Sequence, residues 1–181
     1  IAMDPRVLDT LWLAYHEVGA TEPIQIVCGY RAPETNDMLR RRSRGVAKFS
    51  QHMLGKAIDF YIPGVDLSAL RAAGLRLQRG GVGFYPTSGS PFVHMDAGNV
   101  RMWPRMTREQ LANVFPDGKT IHVPSDGRPM PRYQEAYAEL KRNGGLSGGS
   151  FSMAAMEDED AAAPAAAPTV LASYTPQSTA N

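Results

Sequence analysis

Ser50–Phe60 reads SQHMLGKAIDF, with His52 and Asp59 seven positions apart and Gly55 between them. The glycine breaks any helix that would carry both residues, so they cannot share a helical face. Ala57 to Tyr61 then reads as a short strand, closed by Pro63-Gly64. The stretch therefore predicts a loop that carries His52 and folds back beside a strand from which Asp59 projects.

Working outward, Phe92–Asp96 reads FVHMD. Its period of two puts Phe92, His94 and Asp96 on one face and Val93 and Met95 on the other. Val82 to Tyr85 and Phe92 to Asp96, joined by the turn-rich PTSGSP, predict a hairpin, and Asn99 to Trp103 predicts a further strand. Upstream, Asp4-Pro5 is a helix start, Val7, Leu8, Leu11, Trp12 and Tyr15 recur with helical period, and Gly19 is a stop. Pro23 to Cys28 alternates as a strand, and Ala32-Pro33-Glu34 opens a second helix running toward Arg44-Gly45. Asp66 caps a helix bearing Leu67, Leu70, Gly74 and Leu77, ended by Gly80-Gly81. Thr107 to Phe115 and Pro131 to Lys141 predict short helices, with TIHVP a small strand between them. Helices and antiparallel strands are thus mixed in one α+β domain over residues 1–142. Residues 143–181 are rich in Gly, Ala, Pro and acidic residues, too poor in apolar surface to offset their ordering entropy, and are expected to be a disordered tail.

Composition narrows the function. At 181 residues, 43% of them hydrophobic, the chain can bury a real core, and a net charge of +1 gives no global attraction to nucleic acid. No apolar run approaches the roughly 20 residues of a membrane span. A single cysteine, Cys28, excludes an internal disulfide framework and a cysteine-built zinc site. The first residues, IAMDPRVLD, lack a signal-peptide profile.

Four histidines are present. His16, beside the apolar stripe of the first helix, reads as a surface or packing residue, and so does His122 between turn signals. His52 and His94 differ, since an aspartate accompanies each. If their strands are neighbours, His52, Asp59 and His94 converge, and two imidazoles with one carboxylate are a usual ligand set for a catalytic zinc. Such an ion lowers the pKa of its water to about 7 and polarises a carbonyl.

In order along the chain, CGYRAPETNDMLRRRS, SQHMLGKAIDF, QRGGVGFYP and FVHMDAG resemble the M15-type murein peptidases, in particular the murein endopeptidase K branch. The resemblance runs from about Asp4 to Trp103. It implies a D-alanyl-D-alanine peptidase or lysostaphin-like fold, a small antiparallel sheet holding one zinc ion through His52, Asp59 and His94. It implies that Arg31, in the GYR motif, stabilises an oxyanion, or else that it pairs with a carboxylate. Relatives place an acid three residues before the last histidine, or a histidine two before; here these positions are Pro91 and Phe92. Asp96 is the remaining carboxylate on that face, as general base, as a partner of a ligand histidine, or as neither.

Ser50 could hydrogen-bond near His52 or serve the turn, and Tyr85 and Trp103 could line a groove or pack the core. Arg40, Arg41, Arg42, Arg44 and Lys48 form a basic run, either a solvated helix face or an attraction for carboxylate-rich stem peptides. The expected activity is zinc-dependent hydrolysis of peptidoglycan cross-links. The resemblance points to L,D-endopeptidase action between meso-diaminopimelate residues. The alternatives are D,D-cleavage at D-alanyl links, trimming of a terminal D-amino acid, or a wall-binding module without turnover. A nucleic-acid contact through the arginine run is disfavoured by the near-neutral charge and the lack of interleaved aromatics. The resemblance places the protein outside the cytoplasmic membrane, in the periplasm, with an export signal expected upstream of Ile1.

Overall fold

A computed structural model describes residues 2–42 and 46–143. The expected tail, from Gly144 on, and Arg44 lie outside them.

Helix α1 (Pro5–Glu17) starts where Asp4 accepts the Arg6 backbone N–H, with proline at its first position. It buries Val7, Leu11 and Ala14 but leaves Leu8 and Trp12 exposed, so the packed stripe is narrower than the apolar periodicity implied. Strand β1 (Gln25–Cys28) and helix α2 (Pro33–Arg42) follow. Gln51–Leu54 then forms a single 3-10 turn, so His52 lies on a short helix rather than on a loop. Its cap is Ser50, which accepts from His52 N–H, and Gly55 ends it at φ 67°. Strand β2 (Ala57–Tyr61), helix α3 (Leu67–Leu77), strands β3 (Gly81–Tyr85), β4 (Phe92–Asp96) and β5 (Arg101–Trp103), and helices α4 (Arg108–Val114) and α5 (Tyr133–Arg142) complete the described chain.

The five strands form one sheet in the order β1-β2-β4-β3-β5. All pairings are antiparallel except β3 with β5, so the expected purely antiparallel sheet carries one parallel edge. Alternation divides the two faces. Ile58, Phe60, Val93 and Met95 join Val7, Leu11, Leu70 and Leu75 of α1 and α3 in the hydrophobic core. Each such buried side chain contributes about 1.5–3 kcal/mol. Asp59 and His94 face the other way, and the register sets them directly opposite each other.

The same register makes a single transverse row. Cys28 stands opposite Asp59, Asp59 opposite His94, His94 opposite Gly83, and Gly83 opposite Trp103. Directly opposed residues share a face, so every side chain of the row projects to the same side.

Two expectations are corrected, one just before the hairpin and one well beyond it. Helix α3 ends at Gln78, in the left-handed region at φ 48°, before the glycine pair. TIHVP is not a strand. Gln78 explains the second: its side-chain oxygen accepts from Ile121 N–H at 2.8 Å and from the Thr120 hydroxyl at 3.0 Å. A side chain thus satisfies the backbone that a neighbouring strand would otherwise pair. Leu111, Val114, Phe115 and Met130 extend the main core, and Val100, Ile121 and Ala136 form a second cluster.

His122 is buried at 1% exposure, its Nε2–H donating to the Leu75 carbonyl at 3.2 Å. Burial pushes its pKa down to about 4; the Leu75 bond opposes this and the Arg71 charge adds to it. Between about pH 6.5 and 4 the unfolded chain binds a proton that the native protein refuses. His122 therefore withholds none of the stability above pH 6.5 and costs on the order of 3 kcal/mol by the time pH has fallen to about 4. Urea unfolding at several pH values should show that loss, and His122→Gln should flatten it. An equal acid slope in both proteins would place the sensitivity elsewhere.

Candidate metal centre

His52, Asp59 and His94 are each at most 6% exposed, and the fold brings them together. His52 Nε2 lies 3.2 Å from Asp59 Oδ1 and 3.2 Å from His94 Nδ1, and His94 Nδ1 lies 2.8 Å from Asp59 Oδ1. The far side of each ring is engaged. His52 Nδ1 meets the Gly29 carbonyl at 2.7 Å, and His94 Nε2 meets Asp96 Oδ2 at 3.0 Å. A carbonyl or carboxylate accepts only, so each far nitrogen carries the proton and each near nitrogen of a neutral ring carries a lone pair.

Three lone-pair atoms then face one another across about 3 Å, which is unfavourable without positive charge between them. Protons are one solution. Although burial lowers their pKa, Asp59 holds His52 up to about 10 and, with Asp96, holds His94 above the ordinary range. Burial likewise raises Asp59, but both imidazoles outweigh it and keep the carboxyl well below the usual carboxylate range. A divalent cation is the other solution. Donors bound at about 2.0 Å in a tetrahedron stand about 3.3 Å apart, close to the separations here. The residues fit a zinc ion.

Arg31 flanks the cluster. Its Nη2 is 3.6 Å from Asp59 Oδ2 and 3.4 Å from Cys28 Sγ, and its backbone N–H donates to the His52 carbonyl at 3.1 Å. Asp96 is fully buried. One oxygen accepts from Gly81 N–H, Gly98 N–H and Arg101 Nη1, while the other takes His94 Nε2–H and Arg101 Nη2. Burial raises its pKa, but the His94 bond and the Arg101 charge win, so it stays ionised. Gly81 permits this arrangement, since a Cβ there would lie 2.4 Å from Asp96 Oδ2. At Gly83 a Cβ would lie 2.6 Å from the Trp103 ring, which rests 5.0 Å from His94 and donates its indole N–H to the Tyr85 hydroxyl.

His16 is exposed and His122 is buried elsewhere, so neither joins the cluster. Arg40, Arg41 and Arg42 are exposed on α2. Sequence reasoning set Cys28 aside, yet its sulfur, a His52 nitrogen and an Asp59 oxygen all lie within 4.8 Å of one another. Burial raises the thiol, but the hydrogen bond and charge of His52, then Arg31, bring its net pKa down. The available signal was the position of Cys28 at the end of a strand, three residues before Arg31.

Residues 1–103 match the family model described as peptidoglycan L,D-endopeptidase MepK, of the M15 peptidases. The chain belongs to this family. Its relatives include the peptidoglycan L,D-endopeptidase MepK of Escherichia coli K12, 47% identical over 102 residues, which cover 56% of this chain and 55% of that protein. A probable peptidoglycan L,D-endopeptidase MepK of Haemophilus influenzae is also 47% identical over 102 residues, covering 56% and 54%. The chain spans about half the length of the curated relatives it matches. No solved structure matches. Family membership agrees with the mixed α+β architecture and with a cluster whose donors could hold a metal ion. Among the described residues, no helix is long and apolar enough to cross a membrane.

Proposed function

We propose that this chain is a zinc-dependent hydrolase of peptidoglycan cross-links, an L,D-endopeptidase acting between meso-diaminopimelate residues. The observation that carries the reading is the convergence of His52 Nε2, Asp59 Oδ1 and His94 Nδ1, their far sides fixed by hydrogen bonds, in a member of this family. These three residues would hold one Zn2+, in a lysostaphin-like arrangement built by residues 1–142. The ion supplies an acidified water and polarisation of the scissile carbonyl.

The chain's own residues do the rest. The Gly29 carbonyl and Asp96 fix the tautomers of His52 and His94, so the facing nitrogens remain available as donors. Arg31 sets a cationic fork beside Asp59, suited to the negative charge that develops on a carbonyl oxygen under attack. Asp96 acts as a positioning residue. Its full burial and the five bonds its oxygens accept leave it poorly placed to take a proton from a reacting water. The substrate would be the carboxylate-rich stem peptides, met outside the cytoplasmic membrane, with the exposed arginines of α2 favouring approach.

A wall-binding module without turnover is the second reading, favoured by Pro91 and Phe92 at the positions where relatives carry a base. Digestion of defined cross-linked muropeptide dimers by zinc-loaded protein, read by mass spectrometry against a chelated control, separates the readings. The expected result is chelator-sensitive cleavage between two diaminopimelates. Cleavage only after D-alanine would replace the substrate assignment, and intact dimers with folded, metal-loaded protein would establish the binding module.

A further inference from the structure

We propose that the Cys28 thiol is a fourth, displaceable donor to the metal centre, a sulfur that competes with water and substrate for the position His52, Asp59 and His94 leave open. The inference rests on the metal reading above and adds to it a residue and a means of control.

The placement of Cys28 is built, not incidental. Along the β1–β2 pairing, Gln25 faces Tyr61 and Ile26 faces Phe60, so an undisturbed ladder would set Val27 against Asp59 and Cys28 against Ile58. Ile58 belongs to the hydrophobic core, and Cys28 would then point there too. Instead the register shifts between Ile26 and Cys28, and Cys28 comes opposite Asp59. Such a bulge inserts one residue and re-aims the next side chain. Here it turns the one thiol of the chain from the core face to the face that holds the proposed metal donors.

The distances suit a donor that comes and goes. The sulfur, a His52 nitrogen and an Asp59 oxygen lie within 4.8 Å of one another. A sulfur on tetrahedral zinc stands about 3.5 Å from its fellow nitrogen and oxygen donors, so at most a small side-chain rotation is required. The thiol also has other partners, Arg31 Nη2 at 3.4 Å and the Gly29 carbonyl at 3.7 Å, to which it can return. Zinc accepts thiolate readily, and a centre with four protein ligands is closed, whereas a catalytic one keeps a position open. On coordination the S–H bond breaks, its proton passes to solvent, and a sulfur–metal bond forms; nothing is oxidised or reduced. Displacement by substrate, or alkylation of the sulfur, reopens the position.

Cobalt(II) spectroscopy on the full chain tests this directly, because the protein has a single cysteine. The expected spectrum of the cobalt-loaded protein combines visible bands of tetrahedral cobalt with a near-ultraviolet thiolate-to-cobalt band. Cys28→Ser should keep the visible bands and lose the near-ultraviolet one. Iodoacetamide treatment of the unaltered protein before loading should do the same, which covers the case of a variant that folds poorly. Hydrolysis by Cys28→Ser should be faster, where a merely structural cysteine would leave it equal or slower. Visible bands without the near-ultraviolet band in the unaltered protein would overturn the assignment of Cys28 while leaving the three-residue centre intact. Absence of visible bands in every sample would remove the metal centre itself, and the inference with it.

Discussion

Asp59→Ala is expected to lower zinc affinity by at least about a hundredfold, and turnover with it. Four-ligand zinc sites contribute roughly 10–16 kcal/mol, so one ligand stands for about 3 kcal/mol, which corresponds to about two orders of magnitude. The carboxylate is also the hub of the cluster, in contact with both imidazoles and within reach of Arg31. Its removal leaves His52 and His94 facing each other without the anion that holds their protons, so both revert toward neutral rings, which bury at lower cost. The fold should therefore persist. Competition against a chromophoric chelator measures the affinity, and circular dichroism checks the fold. Undiminished affinity in a folded variant would show that the metal is held elsewhere.

Asp96 separates two roles by two substitutions. Asp96→Ala removes the acceptor for Gly81 N–H, Gly98 N–H, His94 Nε2–H and Arg101 together. Breaking a buried ion pair from one side costs about 3–5 kcal/mol, so chemical denaturation should reveal a loss of that order. Asp96→Asn keeps the shape and removes the charge behind His94. Outer partners of ligand histidines typically contribute 10–100-fold in metal affinity, and a drop of about that size is expected. A general base would respond differently: zinc binding would be unchanged and turnover alone would collapse. The ratio of the two losses in Asp96→Asn therefore decides the role.

The parts of the fold legible in the sequence were those written in short-range periodicity. Phe92–Asp96 emerged with the predicted bounds because alternation and turn residues agreed, and Ala57–Tyr61 because Gly55 and Pro63-Gly64 bracket a strand-like run. From the alternation of Phe92–Asp96 followed the face shared by His94 and Asp96, and from the hairpin its antiparallel pairing. What escaped depended on contacts between distant residues. Nothing near Ile121 reveals that a glutamine more than forty positions earlier takes its N–H, so TIHVP read as a strand. The width of the α1 stripe escaped for a similar reason, since whether Leu8 and Trp12 are covered depends on what packs beside them. Cys28 escaped because a one-residue bulge changes the face of everything after it, and strand periodicity presumes that no bulge occurs.

The transverse row from Cys28 to Trp103 has a mechanical side. Asp59 and His94 lie on β2 and β4, each hydrogen-bonded to neighbours on both sides, while Cys28 lies on β1 at the sheet's edge. Local opening begins where fewest contacts must break, so an edge strand loosens well before an interior one. Gly29 and Arg31, which steady His52 and flank Asp59, follow directly from that edge. The cluster is thus expected to be stiff where Asp59 and His94 meet and more compliant along one rim. The substrate proposed above is a bulky cross-linked polymer, and the rim is where this sheet would yield to it without disturbing the geometry of the pair within.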